Sequence, residues 1–119
     1  MMHIIIVGCR DFNDYSVLEK EILDHIGKFI GKIEIEIISG GASGADALGE
    51  RFAQEHNLPL KVVPADWKTY GRSAGFLRNE QMARMAGTLI AFWDGKSRGT
   101  KDMIDTAKII GLRVKVVSI

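Results

Sequence analysis

Apolar and polar positions alternate along this chain with a period that switches between strand-like and helix-like blocks. Ile4-Ile5-Ile6-Val7 is β-branched throughout and ends at Gly8, which predicts a first strand covered by helices on both faces. Ser16 and Glu19 have capping-box spacing, and Leu18, Ile22, Ile26 and Phe29 then recur every three or four residues, predicting an amphipathic helix that stops at Gly31. Residues 33–38 predict a second strand. Its first half alternates with Glu34 and Glu36 and is expected to project beyond the helical cover.

A glycine-rich turn follows, and Ala45, Leu48, Phe52, Ala53 and His56 then mark one face of a helix closed by Asn57 and Pro59. Residues 60–63 predict a third strand. Residues 64–73 show no period and are expected to form a functional loop, with a lid as one candidate role. A helix over 74–85 leads to the unbroken apolar strand Thr88-Leu89-Ile90-Ala91-Phe92-Trp93. After a small-residue loop over 94–100, Met103, Ala107 and Ile110 define a last helix, capped by Gly111, and residues 113–117 alternate like an edge strand.

This order predicts an α/β fold: a Rossmann-like, doubly wound, five-stranded parallel sheet of order 3-2-1-4-5 with helices on both faces. The all-apolar first and fourth strands belong at its centre. Ligands of such sheets bind beyond the carboxyl ends of the strands where the order reverses. The loops over 8–11, 40–46 and 94–100 then share one crevice.

The chain has 119 residues, 46% hydrophobic and 26% charged, with two prolines, which predicts one globular domain over 1–119. Sixteen Lys and Arg against fifteen Asp and Glu leave a net charge of +1, so an anion site has to come from local arrangement. Apolar runs of about five residues are too short to span a membrane, and no signal-peptide pattern opens the chain. A cytoplasmic protein is expected. The single Cys9 fits a reducing compartment and reads as a buried filler, and His3, His25 and His56 lack metal-ligand spacing, so no metal is expected.

Ser39-Gly40-Gly41-Ala42-Ser43-Gly44-Ala45-Asp46 carries the strongest chemical signal. Its glycines permit positive φ and close approach, and the amides that open the following helix face an anion at the positive end of the dipole. It lacks the endings of a Walker loop and the spacing of a dinucleotide fingerprint. The alternative is a capping box of Ser43 and Asp46 for their own helix. Asp46 is equally a cap and an acceptor for ribose hydroxyls.

Arg10, Lys68, Arg72, Arg78, Lys96, Arg98 and Lys101 fall at the same sheet edge, and Arg10, Arg78 and Arg98 rank first for bidentate phosphate contact. Trp67, Tyr70 and Trp93 are candidates for stacking on a base, Trp67 and Tyr70 equally for plugging their own loop. Phe76 reads as core.

Gly8-Cys9-Arg10-Asp11-Phe12, the glycine turn, Arg78-Asn79-Glu80 and Gly99-Thr100 together resemble the YspA-like branch of the SLOG superfamily over nearly the whole chain. The glycine turn is also similar to that of DprA. The resemblance implies binding of a nucleotide or nucleotide-derived signal, a role proposed for many bacterial and phage members, by a sensor or sequestering protein. It implies ligand contacts from Gly40, Gly41, Ser43, Gly44 and Asp46, with Arg78, Gly99 and Thr100 facing them, no further cofactor assigned, and a homo-oligomer as a candidate state; Gly8, Arg10 and Asn79 complete the candidate ligand-binding residues at the same edge.

The region from Arg78 to Thr100 also resembles LOG-type phosphoribohydrolases, which release a base from a nucleoside monophosphate. Met103 stands where their catalytic glutamate belongs, and Asp102 is about 100° away around the helix. Asp46 and Glu80 are the remaining candidate catalytic carboxylates. A DprA-like grip on single-stranded DNA needs a long positive groove, which a near-neutral chain does not supply, so nucleic acid is not the expected partner.

Overall fold

The computed structural model describes residues 1–119. In chain order the elements are β1 (Met2–Gly8), α1 (Tyr15–Ile26), β2 (Ile35–Ser39), α2 (Ala45–Glu55), β3 (Leu60–Val62), α3 (Trp67–Tyr70), α4 (Ala74–Ala83), β4 (Thr88–Trp93), α5 (Arg98–Ile110) and β5 (Arg113–Ser118). Short 3-10 turns follow α1 at Gly27–Phe29 and α3 at Gly71–Ser73. The sheet is parallel throughout, in the order β3-β2-β1-β4-β5, as the apolar pattern predicts.

Strand side chains alternate between two cores. Ile4, Ile6, Ile35, Ile37, Ile90 and Phe92 pack with Leu18, Ile22 and Ile26 of α1 and Phe52 and Ala53 of α2. On the other face, Ile5, Val7, Ile38, Leu89 and Ala91 pack with Met82 and Ala83 of α4 and Met103, Ile104 and Ala107 of α5. Each fully buried side chain of this size stabilises the fold by about 1.5–3 kcal/mol. Both faces of β1 and β4 are therefore closed, and function is left to the sheet's ends.

Several boundaries differ from the sequence expectation, the first α-helix for one ending at Ile26, before a 3-10 turn, and not running on through Phe29 to Gly31. The cap of α1 is Asp14, whose carboxylate accepts from the Val17 amide, while Ser16 donates its hydroxyl to Asp14, so Ser16 and Glu19 form no capping box. A carboxylate two residues earlier reaches the free amides better than the serine. Strand β2 begins at Ile35, because Ile33 makes only an isolated bridge with Ile30 and is half exposed. The expected loop over 64–73 holds α3, capped by Asp66, whose side chain accepts from the Thr69 amide.

Candidate functional site

The carboxyl ends of β1, β2 and β4 open into a crevice at the point where the strand order reverses. Its inner cleft is lined by Gly8 and Arg10 after β1, Asp46 from α2, Arg78 and Asn79 from α4, and Gly99 and Thr100 from α5. Trp67 and Phe76 form its outer wall. A second cleft adjoins it, lined by Gly40, Gly41 and Ser43 of the glycine turn. Gly44 lines neither cleft, and its role is visible in the backbone instead.

Gly44 caps α2 with φ 76°, and a Cβ there would lie 2.2 Å from the Cys9 carbonyl oxygen. Only glycine permits this crossing of the turn over the loop after β1. The Ser43 hydroxyl donates to the Arg10 carbonyl at 3.3 Å and the Ala45 amide donates to the Cys9 carbonyl at 3.2 Å, tying the same two loops together. The capping-box alternative for Ser43 and Asp46 is thus replaced by a stitch between β1 and α2. At Gly40 a Cβ would meet Asp46 Oδ2 at 2.7 Å and Arg78 Nη1 at 2.8 Å, so this glycine lets the two charged groups face each other.

Asp46 is 4% exposed, accepting from the Gly8 amide at 3.3 Å and the Ala42 amide at 3.4 Å. Burial pushes its carboxyl up to about 6, against downward pulls from the Ala42 amide, the Arg78 charge and the Gly8 amide. Both oxygens are already held by backbone, so Asp46 shapes the turn as well as facing the cleft. The Gly41 amide donates to Ser39 Oγ at 3.1 Å, and with those of Ala42 and Ala45 it is engaged internally. Within the predicted cradle, Ser43 and Gly44 keep amides with no acceptor in the protein.

Arg78 is half-buried. Its Nη1 donates to the Gly40 carbonyl and its Nε to Asn79 Oδ1, and burial lowers its pKa against the raising influence of Asp46. Asn79 in turn donates from Nδ2 to Asp102 at 2.9 Å and to the Gly99 carbonyl at 3.3 Å. Nothing in the sequence spacing marks the Asp102 contact, which depends on how α4 and α5 pack.

Several predicted residues lie elsewhere. Glu80 is exposed and pairs with Arg84 on the solvent side of α4, so it is not a carboxylate of the crevice. Trp93 lines neither cleft, and its indole N–H donates to the Ser97 carbonyl at 3.0 Å, bracing its own loop. Tyr70 is exposed and also outside both clefts. Among the cations, Arg72 joins Arg10 and Arg78 in the inner cleft, whereas Lys68, Lys96, Arg98 and Lys101 do not. Lys101 pairs with Asp105 instead.

Phe76, expected in the core, is 54% exposed and lines the inner cleft. The sequence offers it an apolar slot on a helix, but α4 turns that position to the rim. Met103 is buried in the core beneath the cleft, placing an apolar group there. Cys9 is buried, its thiol accepts from the Asp94 amide at 3.3 Å, and burial raises its pKa.

The chain matches the sequence profile of the YspA, cpYpsA-related SLOG family over residues 2–70. It is 30% identical to the Gene 61 protein of Mycobacterium phage D29, over 96% of this chain and 94% of that protein. A similarity of 28% identity links 83% of this chain to 28% of the length of the uroporphyrinogen decarboxylase of Bacillus subtilis. The solved structure of the structural-genomics target TM1055 has the same fold, with a TM-score of 0.70 and 18% identity over 96% of this chain and 72% of that one. No helix is long and apolar enough to cross a membrane. From the family profile, which matches more than half of its length, this chain belongs to the YspA, cpYpsA-related SLOG family.

Proposed function

We propose that the crevice binds a nucleotide or nucleotide-derived ligand and that residues 1–119 act as one binding unit, a sensor or sequestering protein. The observation that carries this reading is the convergence of Arg10, Arg78 and Trp67 where the two clefts meet, with the unpaired Ser43 amide in the outer cleft and Phe76 on the wall of the inner one. Cations and amides suit a phosphate, the polar trio Asp46, Asn79 and Thr100 suits ribose hydroxyls, and an exposed aromatic suits a base. Family membership supports a nucleotide-related role.

Calorimetric titration with nucleoside mono- and diphosphates tests it, using Arg10→Met and Arg78→Met. Arg10 has no side-chain hydrogen bond or ion pair in the fold, so Arg10→Met is expected to weaken binding at least about tenfold with an unchanged unfolding midpoint. Affinity unchanged in both variants would remove the site from this crevice.

A second reading, hydrolysis of a nucleotide N-glycosidic bond, is favoured by one observation. Asp46 faces the cleft with its carboxyl raised to about 6, near the range useful for proton transfer. Met103 offers no acid at the position where the LOG resemblance places one. Chromatography after long incubation with nucleoside monophosphates separates the readings. Free base and ribose phosphate that disappear with Asp46→Asn would establish an enzyme, and their absence leaves binding.

A further inference from the structure

We infer that residues 64–73 form a strap that closes on the bound nucleotide, with Trp67 covering its base and Arg72 reaching its phosphate. This rests on the nucleotide reading above and deepens it by assigning two of the ligand's contacts to a segment that changes position when the ligand enters.

The strap is anchored at its two ends and nowhere between. Val63 is buried and its amide donates to the Ser39 carbonyl at 2.8 Å, and Ala74 is buried at the start of α4. All eight residues from Asp66 to Ser73 are exposed, so no buried side chain pins the segment to the sheet. Its hydrogen bonds are local: the Thr69 and Tyr70 amides donate to Asp66, and the Gly71 amide donates to the Trp67 carbonyl. No side chain of residues 64–73 forms an ion pair or a hydrogen bond with the rest of the chain. Segments held this way open at the least cost in free energy. Gly71, with φ 55° and open space where a Cβ would stand, supplies the bend between α3 and the turn after it.

This loosely held segment carries two groups into the site. Trp67 lines both clefts and Arg72 lines the inner one. Trp67 is still 55% exposed, and its ring edge passes Gly75, where an added Cβ would touch it at 3.5 Å. Bare backbone, not an interlocking side chain, therefore lies beneath the ring. Phe76 lines the same inner cleft from α4, a helix fixed by Met82 and Ala83 in the core. One aromatic stands on an anchored element and the other on the strap, so a planar base gains stacking area as the strap closes. The strap carries Lys68 and Arg72 against Asp66 alone, and that carboxylate is engaged in capping α3. An anion thus attracts it, and closure shields Arg10 and Arg78 from water, which strengthens their hold on phosphate.

The test is acrylamide quenching of Trp67 in Trp93→Phe, which leaves one of the chain's two tryptophans and alters neither cleft's lining. Nucleoside 5′-mono- and diphosphates of adenine, guanine, cytosine and uracil are the probes, each brought to saturation as read by calorimetry. Saturation is expected to lower the quenching constant of Trp67 about threefold or more. Arg72→Met in the otherwise wild-type chain is expected to weaken binding about fivefold or more with an unchanged unfolding midpoint. If Trp93→Phe fails to fold, hydrogen exchange of the wild-type amides over 66–73 replaces the quenching, and slowing of about tenfold is expected in the complex. A saturated complex in which Trp67 stays as quenchable, or the strap amides exchange as before, overturns the inference while nucleotide binding stands. Full affinity in Arg72→Met overturns it as well. No saturable heat with any probe overturns the nucleotide reading and the strap with it.

Discussion

The Asn79 carboxamide donates to the Asp102 carboxylate at 2.9 Å and accepts from Arg78 Nε at 3.2 Å, so an acid on α5 fixes the guanidinium that faces the crevice. With both ends of the amide engaged, Asn79 cannot flip, and the anchoring of Arg78 to the Gly40 carbonyl completes a chain from α5 to the glycine turn.

Asp102→Ala is predicted to leave the buried Asn79 amide with one acceptor, the Gly99 carbonyl, and to cost about 1–2 kcal/mol in urea unfolding. Nucleotide affinity is expected to fall in parallel, and Asp102→Asn to recover much of both. A stability loss with unchanged affinity would make the chain of contacts purely structural.

Glycine substitutions separate folding from binding. Gly44→Ala is predicted to destabilise by more than about 3 kcal/mol, since it combines a positive φ with a Cβ at 2.2 Å from the Cys9 carbonyl. At Gly99, inside α5, a Cβ would meet nothing within 4 Å, and alanine is expected to gain up to about 1 kcal/mol of helix stability. If a phosphate approaches that backbone, Gly99→Ala loses affinity while gaining stability. Unfolding curves and titrations on the same preparations read both effects.

How far the sequence carries these arguments depends on the length of each signal. The all-apolar β1 and β4 reveal the sheet order because a strand buried on both faces needs no polar positions, and the long helices repeat their faces over several turns. Helix α3 spans only Trp67–Tyr70, too few residues for a period to show, and its one signal is Asp66 before it. Asp46, Arg78 and Gly99 were readable as residues of the crevice, because loops that follow parallel strands converge at one sheet edge. The sequence pattern puts Glu80 and Trp93 at this edge and the structure does not, since one residue along a helix or strand turns a side chain away from it. The exposed rim position of Phe76 and the Asp102 contact depend on helix packing, which no local pattern encodes.

The titration of Asp46 gives a pH prediction with a definite sign. Its folded-state pKa of about 6 stands above the usual aspartate value of 3.8, so the folded protein holds the proton more tightly than the unfolded chain between those values. Stability is therefore fully present below about pH 4 as far as this group is concerned, declines as pH rises towards about 6, and is level above it. The span is on the order of 2–3 kcal/mol. Asp46→Asn is expected to flatten that part of the profile, and carboxyl-carbon NMR is expected to place the Asp46 midpoint near 6. A midpoint near 4 would contradict the buried environment.

The most direct test of nucleotide binding at the switch point is an amide NMR titration of the uniformly labelled protein with a panel of nucleotides. Saturable shifts are predicted at Gly8, Arg10, Ser43, Arg78, Gly99 and Thr100, the residues that line the two clefts. No saturable shift with any member of the panel, or shifts confined to the β5 edge, would contradict it.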